Sequence, residues 1–463
     1  MLTTKTNSSI GFRLGARVIQ AAIIVLALSA LLPAQEALTL RQAVDLALDS
    51  NPLIAAAKAG ESEANARIQQ ARSGYLPHAQ VSESFQRSNN PVFVFTSLLT
   101  QRQFNDRNFS IDALNHPDAL NNYQSRLSVE QVLFDARRTS HSVRAANFTR
   151  QLASEDTRRN QSDVILLVLQ TYFGVVLAER SLDVARESVA SAKADISRAE
   201  SIYESGRSTL SDVLALRVHL AAVSEQQIRA SNDVAVARAA LNDALGVSLD
   251  RAFELTTPLD ARADGPEYPL EAYRHIAAET RAEIRQAELT RQLTHTEKQI
   301  AGSAYLPRVV LEGTVEADRQ KFSSKGGAYW YTAVTLSWNL WNGGETKARV
   351  EEARFAEARV EALQKRSDSA VHLEVRKAYF DLQSAAQRVE VASAASAEAE
   401  EGNRIIQNRQ QAGLTTITEL LRSETALTAA RTRYFAAVYD YRVAAASLEH
   451  ATGTLSADSA SVN

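Results

Sequence analysis

The sequence predicts a mainly helical chain with added strand pairs, built from two copies of one unit. Three observations carry this: a long internal repeat, a sustained coiled-coil seam, and period-two alternation confined to two windows. Gly74-Tyr75-Leu76-Pro77 recurs as Ala304-Tyr305-Leu306-Pro307, 230 residues later. Tyr172-Phe173, Gly206 and Gly246 recur as Tyr379-Phe380, Gly413 and Gly453, each 207 residues on. A constant offset means no net insertion between those marks, as tandem duplication of one structural unit predicts. The fall from 230 to 207 assigns 23 extra residues to the first copy, between Pro77 and Phe134.

The chain starts with a secretory signal pattern. Lys5, Arg13 and Arg17 form a basic region, and an apolar run follows from Val18 to Leu32. Cleavage is expected after Ala34, giving a signal peptide over residues 1–34. The apolar run is shorter than the roughly 20 residues of a spanning helix. No later segment reads as a transmembrane helix, so the exported chain is either soluble or membrane-inserted as strands. With 51 Lys+Arg against 54 Asp+Glu there is no basic excess for nucleic acid. Cysteine is absent, which removes disulfides, thiolate chemistry and zinc–cysteine sites.

Residues 35–249 form the expected first repeat: a helix over 39–74, a β-hairpin over about 79–134, a long helix over 136–205 and a helix over 210–246. Apolar or small residues at Val164, Val168, Thr171, Val175, Ala178, Leu182, Ala185, Val189, Ala192, Ile196, Ala199 and Tyr203 keep a 3.5-residue period, a coiled-coil seam. Seventy helical residues would span roughly 105 Å. The seam resumes with Val213, Leu216, Leu220, Val223, Ala230, Val234, Ala237 and Leu241. Between the two lie Gly206, Arg207, Ser208 and Thr209, a left-handed stop followed by a capping residue, so the helices form a hairpin with a tight tip.

After a linker over 250–268, residues 269–453 repeat the pattern: a helix to 304, a β-hairpin over about 308–341, a long helix over 345–412 and a helix over 417–451. The second tip is Gly413, Leu414, Thr415 and Thr416. A polar tail, 454–463, ends the chain. Pro77 and Pro307 are expected helix-to-strand joints, because proline ends a helix and biases its predecessor to extended geometry. Asp135 and Asn342-Gly343-Gly344 mark the returns from strand to long helix.

In the second copy Trp330, Thr332, Val334, Leu336, Trp338 and Leu340 alternate with Tyr331, Ala333, Thr335, Ser337, Asn339 and Trp341. Tyr329, Trp330 and Tyr331 lie at one end, Trp338 and Trp341 at the other, roughly 27–36 Å apart along a strand. That separation suits the two aromatic girdles of an outer-membrane barrel. The extra residues, around Phe93 to Pro117, then read as a long surface loop. Four membrane strands cannot close alone, so the chain must oligomerise: eight strands in a dimer, twelve in a trimer.

The signal, the paired Tyr-Leu-Pro joints, the strand pairs running into Phe134-Asp135 and Trp341-Asn342-Gly343-Gly344, and the glycine-centred tips together resemble the outer-membrane efflux protein family, the TolC-like channels. The resemblance covers residues 38–455. It implies a homotrimer with a twelve-stranded barrel in outer-membrane lipid and an α-helical barrel across the periplasm. It also implies a periplasmic adaptor and an inner-membrane pump as partners, with the adaptor docking at the two tips. A type I protein-secretion exit shares this fold; a periplasmic coiled-coil scaffold or adaptor is the reading from another class. Two departures stand out: Ala136-Arg137 replaces Gly343-Gly344, and the position aligned with the family's tunnel-narrowing aspartate carries Arg404, with Glu400 and Glu401 nearby. No enzyme is expected, and no cofactor or metal. His78, His116, His141, His219, His275, His295, His372 and His450 are scattered, and no phosphate loop or nucleophile elbow occurs.

Overall fold

The computed structural model describes residues 36–260 and 264–462. The expected signal over 1–34 lies outside them. Four strands form one antiparallel sheet in the order β2-β3-β5-β6: β2 (His78–Ser88), β3 (Leu120–Phe134), β5 (Arg308–Arg319) and β6 (Gly327–Ser337). The two hairpins thus meet at β3 and β5, leaving β2 and β6 as edges. Two 67-residue helices descend from the sheet, α5 (Arg138–Glu204) and α9 (Glu345–Gln411). Each turns at a tip into a 36-residue partner, α6 (Leu210–Leu245) and α10 (Ile417–Thr452). Near the sheet, α2 (Pro52–Arg72) packs on α5, α5 on α8 (Ala282–Ser303), and α8 on α9. Towards the tips the order is α6, α5, α10, α9. The helical layer is therefore one curved sheet of helices with α9 at one edge and α2 or α6 at the other.

The seam explains this packing. Val164, Val168, Val175, Leu182, Ala185, Val189, Ala192 and Ala199 are buried along α5, and Val213, Leu216, Val223, Ala230 and Leu241 along α6. Layers such as Leu182–Ala185–Ala230 and Ala199–Val213–Leu216 alternate large with small, which lets the helices approach. Tyr203 leaves the seam and is exposed. By length and composition α5 could cross a membrane, contrary to the expectation of no such segment. Its Val164, Val168, Leu169, Tyr172 and Phe173 instead fill the main core.

Each short helix of the expected pattern is two. Asn51 is extended, with ψ 128, so α1 (Leu40–Ser50) ends there and α2 begins at Pro52. Proline lacks the N–H that would continue α1 and forces its predecessor out of the helical region. The second copy breaks α7 (Leu270–Thr280) from α8 at Arg281, with ψ 126 and no proline. There a buried guanidinium holds the bend: Arg281 donates to Glu283, Glu374 and the His450 carbonyl, each at 2.7 Å. His450 Nε2 reaches Asp163 at 2.7 Å, joining α10 to α5.

Two segments are more ordered than expected. The linker contains β4 (Phe253–Leu255), paired in parallel with β1 (Glu36–Leu38). The polar tail docks through Leu455 and Val462, both buried in the main core. The expected surface loop is also folded: α3 (Pro91–Thr100), a 3-10 turn (Asp106–Phe109) and α4 (Ile111–Asn115). It lies against β3, β5 and β6 rather than projecting away. Asn90 and Ser110 cap its two helices, and that local capping chemistry is why the segment folds.

Candidate functional site: the helical tips and the strand face

At the first tip α5 stops with Gly206 at φ +75, Gly206 N–H on the Tyr203 carbonyl at 2.8 Å and Arg207 N–H on Ile202 at 3.1 Å. Thr209 then caps α6 and shares a reciprocal capping box with Asp212, whose carboxylate also accepts from Ser208 at 3.0 Å. Those hydroxyl and backbone donors, the Thr209 hydroxyl foremost, hold the Asp212 carboxyl below its ordinary value. The second tip repeats the geometry: Gly413 at φ +74, Leu414 N–H on Arg409 at 2.8 Å, Thr416 capping α10, and Thr415 donating to Glu419 at 2.6 Å. Arg207 and Leu414 are exposed at the apices. Nothing lies within 4 Å of where a Cβ would stand on Gly206 or Gly413. The tips are thus closed by local hydrogen bonds yet open in space.

Two to three turns above the tips sits a cluster the sequence reading did not single out. His219 on α6 and Glu424 on α10 line a cavity of about 180 Å³, and the buried Asp195 of α5 neighbours Glu424. Ser191 donates to Glu424 at 2.8 Å, and His219 Nε2 stands 3.6 Å from it. Arg198 holds one oxygen of Asp195, while the other is buried without a hydrogen-bond partner. Burial, and then the neighbouring Asp195 carboxylate, push the Glu424 carboxyl up to about 7. Burial pushes the His219 imidazole down. The signal that could have found this cluster is a phase clash: Glu424 follows buried Leu420 by four residues, where the helical period calls for an apolar side chain. Farther from the tips, Arg431 bridges Glu187 of α5 at 2.7 Å and Glu400 of α9 at 3.0 Å. Arg404 pairs with Glu401 on the exposed surface, so that position adds no unpaired acid.

At the joints, Pro77 and Pro307 immediately precede β2 and β5. Asp135 accepts from the Thr139 backbone at 2.8 Å, and Asn342 bonds Thr346 at 2.9 Å. Gly343 and Gly344 are left-handed, with φ 68 and 88. Ala136 and Arg137 take the same conformation, φ 56 and 65, without the glycine freedom.

The girdle set separates. Adjacent residues of a strand point to opposite faces. Trp330 stands beside Val315 on the apolar face, 74% exposed. Tyr329 and Tyr331 are on the other face, their hydroxyls donating to Glu316, Asp318 and Glu312. β6 ends at Ser337, so Trp338 and Trp341 lie beyond it. Trp338 donates to the Tyr305 carbonyl at 3.0 Å, and Trp341 is exposed.

A chain with a four-stranded antiparallel sheet feeding two very long helical hairpins has close structural counterparts. A crystal structure of a membrane protein from Pseudomonas aeruginosa matches with a TM-score of 0.76 at 19% identity, covering 89% of this chain and 93% of that one. The CmeC outer membrane channel of Campylobacter jejuni matches at 0.76 and 17%, covering 91% and 87%. The family model described as outer membrane efflux protein matches residues 43–247 and 274–454. The chain belongs to the outer membrane efflux protein family. The alkaline protease secretion protein AprF of Pseudomonas aeruginosa is 27% identical over 433 residues, 90% of this chain and 85% of that protein. This efflux-family chain is therefore an outer-membrane protein. The gap between its two matched segments contains β4, the strand that pairs with the N-terminal β1.

Proposed function

We propose that three copies of the chain close into one passive duct. It would run through the outer membrane and across the periplasm, and carry cargo delivered by an inner-membrane pump and a periplasmic adaptor. One observation carries the reading: both layers of the chain end on unpartnered edges. β2 and β6 each have a single hydrogen-bonded neighbour, and Val81, Phe85, Trp330, Val334 and Leu336 are exposed along one face. Open strand edges in lipid leave backbone groups unpaired, and joining β6 of one copy to β2 of the next removes them. The helical edges carry matching apolar stripes: Leu214, Val218, Ile228 and Val236 on α6, and Phe355, Leu373, Phe380 and Val391 on α9. Four strands are too few for a barrel, whereas twelve enclose a lumen. In this reading each chain is a duplicated unit, 35–249 and 269–453, joined by 250–268.

The adaptor would meet Gly206, Arg207, Ser208, Thr209, Gly413, Leu414, Thr415 and Thr416. These are the chain's farthest points from the sheet, and they leave a backbone surface that an adaptor loop can approach. A second reading, a type I protein-secretion exit, is favoured by the similarity to AprF along nine-tenths of the chain. The two share one duct and differ in the pump.

Fractionation and a cysteine scan test the proposal, since the chain has no cysteine of its own. Cysteine pairs placed along β2 and β6 should give cross-linked trimers in the outer-membrane fraction. A soluble periplasmic monomer would sink the reading. Gly206→Arg and Gly413→Arg should abolish adaptor cross-linking while the trimer persists; unchanged cross-linking in both removes the docking role.

A further inference from the structure

The insertion of the first copy folds inward. α3 and its C-cap bury Val94, Ser97 and Gln101, spaced i, i+3 and i+7 on one face. Gln101 Nε2 donates to Asn122 Oδ1 at 2.8 Å and to the Asn121 carbonyl at 2.9 Å, and Asn122 donates to Asp318 at 2.6 Å. Asn122 shares its strand face with Gln124 and Arg126, and Asp318 shares its face with Glu316 and Glu312. This is the polar face, opposite Trp330. At the end of α3, Arg102 donates to the Ala328 carbonyl at 3.1 Å. A Cβ on Gly327 would stand 1.8 Å from the Thr100 carbonyl oxygen, so the helix end lies directly on β6 where only glycine admits it.

We infer that residues 91–118 are an inward-folded stopper that sets the size of what can leave the outer mouth of the barrel. The inference rests on the three-copy reading. Twelve strands about 4.8 Å apart and tilted by about 40° close a ring roughly 24 Å across. Three helices, each about 10 Å thick, side by side need roughly 22 Å, so three converging α3 segments fill that ring. The free side of the insertion also wants a partner. Val92, Leu99, Phe109 and Ile111 are exposed there, and the three-fold axis would bring their copies together. The hold is releasable: Gln101 Oε1 and Asn121 Oδ1 are buried without hydrogen-bond partners, so the contact is incompletely satisfied.

The test places a cysteine at Ser82, on the polar face of β2, and adds impermeant maleimides outside intact cells. With the insertion present, a small maleimide should label Ser82→Cys, and a bulky polyethylene-glycol maleimide should react at least an order of magnitude more slowly. Replacing 91–118 by a short turn should bring the two rates together. Gln101→Ala with Arg102→Gly should do so in part; it keeps the left-handed turn but removes both contacts, and it decides the matter if the deletion fails to assemble. Equal rates for both reagents in the unaltered chain overturn the stopper alone. Failure of even the small reagent, in every variant, overturns the lumen reading and the stopper with it.

Discussion

The Tyr172 hydroxyl donates to the Leu38 carbonyl at 2.8 Å and accepts from the Thr257 backbone N–H at 3.0 Å. One fully buried side chain of α5 thus ties together the ends of the β1–β4 pair, which closes the chain's N-terminal segment onto its linker. Tyr172→Phe leaves the part-buried Thr257 N–H without a partner, a loss worth about 1–3 kcal/mol, while the Leu38 carbonyl keeps the Thr256 N–H at 3.2 Å. The temperature at which the detergent-solubilised protein unfolds should fall by about 1–3 °C. Tyr379→Phe, whose ring meets Tyr273 edge-on at 6.1 Å, should cost less.

Gly246 and Gly206 are both left-handed, with different surroundings. A Cβ on Gly246 would stand 2.6 Å from the Ser50 carbonyl oxygen, at the Asn51 break, whereas Gly206 faces open space. Gly206→Ala should cost about 1 kcal/mol of backbone strain alone. Gly246→Ala should cost more, because the end of α6 must move off α1. Denaturant midpoints of the two variants compare them directly.

Ala136 and Arg137 hold a conformation that Gly343 and Gly344 adopt freely. Ala136→Gly and Arg137→Gly should each stabilise the chain by about 1 kcal/mol, an unusual gain for a glycine substitution. A lowered melting temperature in both would refute this account of the joint.

Two buried groups make stability fall with rising pH, in separable windows. Glu424 has its carboxyl raised from 4.5 to about 7 by burial and then by Asp195. Its contribution is full below pH 4.5 and is lost as pH rises through about 7, when a second negative charge meets Asp195 beside neutral His219. Burial would lower the His450 imidazole, but its bonds to Asp163 and Glu374 outweigh that and raise it to about 9. Its contribution is full below pH 6.5 and is lost through about 9. Melting curves of Glu424→Gln should flatten the lower window only, and those of His450→Gln the upper only.

The long hairpins were legible because their signal is local and repeated: Leu182, Ala185, Val189 and Ala192 keep phase within one helix. The Asn51-Pro52 break was equally visible in principle, since proline states its own constraint. The break at Arg281 was not, because what bends the chain is Glu374 and His450, far away in sequence. The same holds for Asp195 and Glu424, which become neighbours only when α5 and α10 pack. The insertion's place between two strands predicts a loop, but the contact of Gln101 with Asn122, distant in sequence, folds it onto the sheet. Tyr329 and Tyr331 sit with Trp330 at one end of the strand but on its other face, because side chains alternate along β6 and their hydroxyls reach Glu316, Asp318 and Glu312.

Phe173 is wholly buried, while Phe380, its counterpart 207 residues on, is 52% exposed. The two long helices also start differently, α5 from Ala136-Arg137 and α9 from Gly343-Gly344. A helix of 67 residues is a lever roughly 100 Å long, so one degree at its root displaces its far end by almost 2 Å. Two side-chain-bearing residues restrict the pivot beneath α5, and two glycines relax the pivot beneath α9. The same swing therefore meets less backbone resistance in the second half of the chain, and two near-identical arms differ in stiffness at the shoulder.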